Sequence, residues 1–194
     1  MPNIILASKS KVRKDILKNY GIECDVFPSN IDEDIVKISL TKEKASPEII
    51  SKNLAELKAN KVSNKFPNEL VIGADSVIDL DGKVISKPEY RGQALDILKS
   101  LNGKTHSLIS SVCISMGGSM ILNFTDQAEL VMKKFSIPEL EEYLSKISDE
   151  VLYAYNVYQI EGLGKSLFSE IKGDSNTVMG LPVKKIKEYL KNFT

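Results

Sequence analysis

Apolar residues along the chain fall into blocks that alternate between the spacing of strands and the spacing of helices. Short runs rich in Ile, Leu and Val predict strands at residues 3–7, 23–28, 70–80, 83–86, 106–116, 119–131 and 157–160. Apolar positions that recur every three or four residues predict helices at residues 12–19, 47–62, 91–101, 138–147 and 182–193. Strands and helices that follow one another in this way indicate an α/β domain.

Two tight turns indicate how the strands pair. Asp81-Gly82 and Gly117-Gly118 each stand between two predicted strands, as the turns of β-hairpins do. Because hairpins join antiparallel strands, the two turns argue against a purely parallel sheet. We therefore expect a mixed, partly antiparallel twisted sheet with flanking helices, in a single domain over residues 1–194.

Charge and cysteine usage narrow the classes of function. Lys plus Arg number 26 and Asp plus Glu number 26, whereas a protein that coats nucleic acid carries a basic excess. A local cluster of cations is still compatible with a small anionic ligand. Cys24 and Cys113 stand in no zinc-binding pattern, and no apolar run reaches the ~18 residues of a membrane span. We expect a cytoplasmic protein in a reducing compartment, without nucleic-acid or membrane partners.

The turn after the first predicted strand is a candidate anion site. Ser8 and Ser10 stand between that strand and the following helix, Arg13 lies in the first turn of the helix, and Lys11 adds a cation. Free N–H groups at a helix N-terminus, two hydroxyls and a guanidinium suit phosphate oxygens. The same residues also fit an ordinary serine cap followed by a solvated basic turn.

Asp75 stands in the middle of the most apolar predicted strand, residues 70–80. An ionised carboxylate there is costly unless a charge or a metal balances it. Gly73 and Ala74 leave room for another group to approach the backbone. The pattern favours a metal ligand or a general base, and the alternative is an aspartate at a strand end that faces water.

Glu33, Lys58 and Lys87 complete the set of candidates. Glu33 lies in an acidic segment, residues 31–34, that is typical of a solvated loop, although one carboxylate could complete a magnesium site. Lys58 lies on the predicted helix 47–62, and Lys87 precedes a proline. Lysines are usually surface residues, so the positions of these two do not by themselves predict a chemical role.

Eight short motifs resemble those of the Maf family of nucleotide pyrophosphatases. They are LASKSKVR at 6–13, DE at 32–33, LAELKA at 54–59, GADSV at 73–77, KP at 87–88, GKTH at 103–106, YQIEGLG at 158–164 and GLP at 180–182. No single motif is decisive. Eight in the right order over nearly the whole chain are specific to the family.

The resemblance implies a fold, a reaction and a set of roles. The fold is a Maf-like and inosine-triphosphatase-like sheet with two lobes around a central cleft, often in a homodimer. The reaction is hydrolysis of nucleoside triphosphates to monophosphate and pyrophosphate with magnesium or manganese. By carry-over, Asp75 is the catalytic base, Glu33 is a metal or water partner, and both are metal ligands. The phosphate ligands carried over are Ser8, Ser10, Arg13, Lys58 and Lys87.

The base of the nucleotide is left open by the resemblance. Members acting on dTTP and UTP typically have arginine, threonine and glutamine where this chain has Val12, Ser76 and Glu161. The branch acting on 7-methyl-GTP resembles this chain at Glu161 but usually has an early tryptophan, and the chain has no Trp. Ser76 and Glu161 are expected to contact the substrate, and Glu161 could accept a hydrogen bond from a guanine edge.

The turn at residues 155–157 departs from the pattern of the family. Tyr155-Asn156 stands where the family commonly has Ala-Gly, but asparagine tolerates unusual backbone angles.

The alternative to the enzyme is a catalytically silent, nucleotide-binding regulator of cell division. The intact set of Asp75, Glu33 and lysines speaks against lost catalysis.

Overall fold

The computed structural model describes residues 2–191, without the side chains of residues 154 and 155. One sheet in this range contains β1 (Ile4–Leu6), β2 (Asp25–Val26), β3 (Leu70–Leu80), β4 (Lys83–Ile85), β5 (Thr105–Met116), β6 (Ser119–Met132) and β7 (Phe168–Lys172). The α-helices are α1 (Lys11–Asn19), α2 (Glu33–Lys42), α3 (Pro47–Ser63), α4 (Arg91–Leu101), α5 (Ile137–Ser145), α6 (Asp149–Tyr155), α7 (Ser175–Val178) and α8 (Val183–Leu190). Within the described range, no helix combines the length and the hydropathy that crossing a membrane requires.

The sheet is mixed, as predicted, and both predicted hairpins are present. Its order is β2-β1-β3-β5-β6-β7, and β5 runs antiparallel to both of its neighbours, β3 and β6. On the edge of β3 that faces away from β5, residues 70–72 of β3 pair with β1 and residues 78–80 of β3 pair with β4. Residues 73–77 have no strand partner on that edge among the described residues, so the sheet is open there.

The hydrophobic core is divided on either side of this opening. One cluster gathers the side chains around α4, α5 and the ends of β5 and β6, including Leu98, Leu130 and Leu140. A second cluster gathers those around α1 and the start of β3, including Leu17 and Ile72. Because β3 and β5 contribute to both clusters, the predicted two lobes share one continuous sheet. That a single domain spans residues 1–194 stays a prediction.

Close packing of α3 on β3 depends on Gly73. A Cβ on Gly73 would overlap the carbonyl oxygen of Ala55 and would lie 2.7 Å from the backbone nitrogen of Ala59. The group that approaches the backbone at Gly73 is therefore α3 itself. With the small residues Ala55 and Ala59 at the contact, Lys58 of α3 reaches Asp75 of β3.

Residues 157–160 do not form the predicted strand. Val157 and Tyr158 are buried, which accounts for their apolar pattern. The chain then folds back on itself. The backbone at Gly164 comes so close to Gln159 that a Cβ there would lie only 2.6 Å from both the nitrogen and the oxygen of Gln159. The strand position beside β6 is taken by β7, whose mostly exposed residues give no strand pattern.

The acidic segment predicted as a loop begins a helix. The Asp32 carboxylate caps α2 by accepting from the Ile35 N–H at 3.1 Å, and Glu33 lies in the first turn, where the helix dipole favours negative charge. No side chain of α2 is fully buried, so this helix lacks the apolar stripe that reveals helices in a sequence. The predicted final helix is present as α8, and residues 192 and 193 lie outside the described residues.

Candidate active site

A cleft of about 590 Å³ opens between the lobes, at the unpaired edge of β3. Its walls come from the β1–α1 turn, the start of α2, α3, β3, β4, residues 156–161 and residues 178–180. It is lined by every site residue singled out from the sequence: Ser8, Ser10, Arg13, Glu33, Lys58, Asp75, Ser76, Lys87 and Glu161. The fold therefore brings the whole candidate set into one pocket, while the roles of its members stay predictions.

A buried lysine between two carboxylates lies at the centre of the cleft. Lys58 Nζ is 2.8 Å from Asp75 Oδ1 and 2.9 Å from Glu33 Oε1. Lys58 is 5% exposed and Asp75 is 3% exposed, whereas Glu33 keeps contact with solvent. The alternative that Asp75 faces water at a strand end is therefore wrong. Removing either buried partner would leave an uncompensated charge.

Nearby cations hold Glu33 in its ionised form. Burial alone would raise the pKa of Glu33, but the charge and hydrogen bond of Lys58, with the charges of Lys37 and Lys87, hold that pKa below its ordinary value. Burial lowers the pKa of Lys87, and the charge of Glu33 acts against that shift. At neutral pH, Glu33 is therefore a carboxylate surrounded by cations.

Arg13 joins three segments of the chain across the floor of the cleft. Its Nε donates to the Gly180 carbonyl at 2.9 Å, and its Nη1 donates to the Ala74 carbonyl at 2.9 Å. Nη1 also donates to Ser8 Oγ at 3.3 Å, and Nη2 donates to Ser76 Oγ at 3.2 Å. Four of the five guanidinium N–H groups thus have protein acceptors. Arg13 supplies Ala74, on the open edge of β3, with the donor that a neighbouring strand would have given.

The serines of the first turn serve the helix and the cleft together. Ser10 is the N-cap of α1, and its Oγ accepts from the Arg13 N–H at 3.3 Å. Ser8 Oγ accepts from the Ser10 N–H at 3.2 Å. The serine-cap alternative is therefore correct as a description of Ser10. It does not exclude anion binding, because the same turn aims the positive end of α1 at the cleft.

The two carboxylates have the donor chemistry of a magnesium or manganese site. Among the described residues, Asp75 Oδ2 is a buried oxygen without a hydrogen-bond partner. Glu33 Oε2 lies 3.9 Å from Lys37 Nζ, beyond hydrogen-bonding distance. Within the described range, no cluster of three His, Cys, Asp or Glu side chains could hold a metal by itself. Magnesium needs one or two carboxylates and completes its shell with water and phosphate oxygens, so these donors fit it.

The lobe that carries β4 gives the cleft an apolar wall. This wall is formed by Ile78, Val84, Ile85, Leu108, Tyr158 and Ile160. The Tyr158 hydroxyl lies 2.9 Å from His106 Nε2, and the Tyr158 ring packs edge-on against Phe168. Burial lowers the pKa of His106 to about 4, so its ring is neutral at pH 7. The single histidine of the chain is a packing residue behind this wall.

Two residues of the cleft have little signal in the sequence. Lys37 pairs with Glu33 from one helical turn further along α2, a relation that is visible only once residues 33–42 are known to be helical. Glu150 lines the cleft from the short helix α6, which the apolar pattern does not predict. In both cases the missing information is the helix that carries the side chain.

A sequence model of one protein family covers almost the whole chain. The sequence model that describes Maf-like proteins matches residues 3–193. The chain belongs to the Maf-like family. The resemblance found from the eight motifs is thereby confirmed over nearly the whole chain.

Several relatives of this Maf-like chain match over almost their full length. A nucleoside triphosphate pyrophosphatase of Pelagibacter ubique is 70% identical over 97% of this chain and 96% of its own length. A protein of the same name from a Ruegeria species is 38% identical over 97% of this chain and 94% of its own. A 7-methyl-GTP pyrophosphatase of Rhizobium etli is 36% identical over 94% of this chain and 92% of its own.

Asn156 lies beside the apolar wall, at a position where the family resemblance led us to expect a glycine. Its φ of 67° and ψ of −153° lie in a region that is nearly restricted to glycine. Two side-chain hydrogen bonds offset the strain: Oδ1 accepts from the Val157 N–H at 2.9 Å, and Nδ2 donates to the Ile85 carbonyl at 3.4 Å. The asparagine thus keeps the turn and ties it to β4.

Proposed function

We propose that this Maf-like protein hydrolyses nucleoside triphosphates to nucleoside monophosphate and pyrophosphate, with a divalent metal. The observation that carries the proposal is the composition of the cleft, in which the paired carboxylates Asp75 and Glu33 face six cationic side chains. The cations are Lys9, Lys11, Arg13, Lys37, Lys58 and Lys87. Such a cluster suits a polyphosphate tail, and the named relatives support the same reaction.

In the proposed reaction, a water oxygen bonds to the α phosphorus. The bond from that phosphorus to the α–β bridging oxygen breaks, and pyrophosphate leaves with the electron pair. Asp75 accepts the proton of the attacking water through Oδ2, because Lys58 fixes Oδ1 at 2.8 Å. Cations along the cleft offset the charge that builds on the leaving pyrophosphate.

We assign the metal, magnesium or manganese, to Glu33 and Asp75. When bound, the ion offsets negative charge on the phosphate oxygens and helps to orient them. Glu33 suits this role because its depressed pKa keeps it ionised at neutral pH. Asp75 Oδ2 is available to either partner, the ion or the proton of the attacking water, because Oδ1 accepts from Lys58.

We place the nucleotide base against the apolar wall of the β4 lobe. Aromatic and aliphatic side chains such as Tyr158 and Ile85 suit a flat ring, and the cleft there is bordered by Gln159 and Glu161. The exposed carboxylate of Glu161 accepts hydrogen bonds and donates none, so it favours a base edge with N–H donors, such as that of guanine. The relative named as a 7-methyl-GTP pyrophosphatase supports a purine.

A panel of canonical and modified triphosphates, assayed with and without EDTA, tests the proposal. We expect monophosphate and pyrophosphate from at least one triphosphate, loss of both products in EDTA, and recovery when excess magnesium or manganese is added. Recovery is the control for damage by the chelator. Nucleotide binding without release of pyrophosphate would favour the regulator, and a preference for dTTP and UTP over every purine would reject the role of Glu161.

We also propose that the enzyme works in the cytoplasm. Cys24 and Cys113 are both free thiols, which suits a reducing compartment. The homodimer stays a prediction of the family resemblance.

A further inference from the structure

A chain of hydroxyl groups runs from Arg13 through the sheet to the C-terminal turn. Arg13 Nη2 lies 3.2 Å from Ser76 Oγ on β3, and Ser76 Oγ lies 2.9 Å from Ser110 Oγ on β5. Ser110 Oγ lies 2.8 Å from the carbonyl oxygen of Thr177 on α7. Ser110 is fully buried and stands behind the residues that line the cleft.

Donor chemistry gives this chain one direction. The Thr177 carbonyl can only accept, so it takes the single hydroxyl hydrogen of Ser110. Ser110 must then accept from Ser76, which uses the single hydrogen of that hydroxyl. Arg13 is a donor only, so it donates to Ser76. Ser76 therefore accepts from Arg13 and has no hydrogen left to offer a phosphate.

A second hydrogen bond also holds the far end of the chain. Thr177 Oγ1 donates to Asp126 Oδ2 at 2.7 Å, which holds α7 against β6. The turn after α7 brings Gly180 to Arg13, and a Cβ at Gly180 would lie 3.0 Å from Ser76 Oγ. Its φ of +94° also suits glycine. The turn that accepts from Arg13 Nε is thus held in place through Thr177.

We propose that Ser110 is a positioning residue that orients Arg13 for binding the polyphosphate. It acts at both ends of the guanidinium: through Ser76 it fixes Nη2, and through Thr177 it holds the turn that accepts from Nε. The inference rests on the proposed function and assigns Ser76 to the support of Arg13 rather than to direct phosphate contact.

The affinity of Ser110→Ala for inorganic triphosphate, measured by calorimetry in magnesium, tests this role. We expect affinity to fall about tenfold, because an unfixed guanidinium loses one charge-assisted interaction with the phosphate. The matched control is Ser115→Ala. Ser115 is also fully buried on β5, and it donates to Asn60 Oδ1 at 2.6 Å, away from the cleft. The control should lower thermal stability to a similar degree and leave affinity unchanged.

Coupling to Arg13 separates positioning from general loosening of the fold. In an Arg13→Lys background, Ser110→Ala should reduce affinity by less than twofold, because the oriented guanidinium is already gone. An equal effect in both backgrounds, or unchanged affinity in Ser110→Ala, would overturn the inference. So would a wild-type protein that binds no triphosphate. Failure of the wild type to release pyrophosphate from any nucleotide would refute the proposed function and leave this affinity comparison valid.

Discussion

Asp75→Asn is expected to lower kcat by about a thousandfold or more, since an amide cannot take the proton of the attacking water. The fold should persist because asparagine has the shape of aspartate and Lys58 keeps Glu33 as a partner at 2.9 Å. Affinity for a triphosphate should change much less than kcat, because the cations of the first turn remain. Steady-state kinetics and calorimetry on the same preparation measure both quantities.

Asp79→Asn is the matched control for Asp75→Asn. Asp79 lies on the same strand, and its Oδ1 accepts from the Gly82 N–H in the hairpin turn at 2.8 Å, outside the cleft lining. It should leave kcat within about twofold of the wild-type value, as surface changes commonly do. If Asp75→Asn retained a rate near that of Asp79→Asn, Asp75 would be neither the base nor an essential metal ligand.

Lys58→Met should remove both activity and a large part of the stability. The substitution keeps an unbranched side chain in α3 but leaves the Asp75 carboxylate buried without its cation. Breaking a buried pair costs about 3–5 kcal/mol of unfolding free energy. Urea unfolding should therefore show an earlier midpoint at an unchanged dependence on denaturant. Activity should be lost because Asp75 Oδ1 and Glu33 Oε1 no longer share a donor.

The double variant Lys58→Met with Asp75→Asn distinguishes the two effects. It contains no unpaired buried charge, so it should recover much of the stability and stay inactive. Lys61→Met is the control, because Lys61 is an exposed lysine on α3 whose Nζ donates to the Asn30 carbonyl at 2.9 Å. Its stability should change by about 0.5 kcal/mol or less. Equal midpoints for Lys58→Met and Lys61→Met would show that the buried pair does not hold the two elements together.

Long apolar elements could be predicted because their own residues determine them. Strand β3 and helix α3 have unbroken strand or helix spacing and lie in the core, so the pattern gives them within one or two residues. The Asp81-Gly82 turn predicted an antiparallel neighbour for the same local reason. The two lobes came from family resemblance, since nothing local indicates that β1 and β4 leave a gap in one edge of β3.

The hydrophobic pattern did not predict the elements whose residues are mostly exposed. Helix α2 buries no side chain completely, so the polar segment that contains Glu33 has the composition of a loop. Conversely, Val157 and Tyr158 are buried without being in a strand, and burial alone produces the apolar run. The hydrophobic pattern indicates which residues are buried in the core. It predicts a strand or a helix only where the buried residues follow the spacing of that element.

The sequence predicted which residues belong to the candidate site, but it did not predict how their side chains are arranged. Asp75 stood out from its own surroundings, because a carboxylate among apolar neighbours requires a partner. Lys58 was one lysine among many until α3 placed it 2.8 Å from Asp75. Ser110 gave no signal, since a serine in a strand acquires meaning only from contacts with Ser76 and Thr177, distant along the chain.

Hydrolysis of the preferred triphosphate in water enriched in oxygen-18, with mass spectrometry of both products, tests the central claim most directly. If the cleft grips the polyphosphate and directs water to the α phosphorus, the monophosphate should carry one heavy oxygen and the pyrophosphate none. Label in the pyrophosphate, or release of diphosphate nucleotide and inorganic phosphate instead, would contradict the proposed reaction.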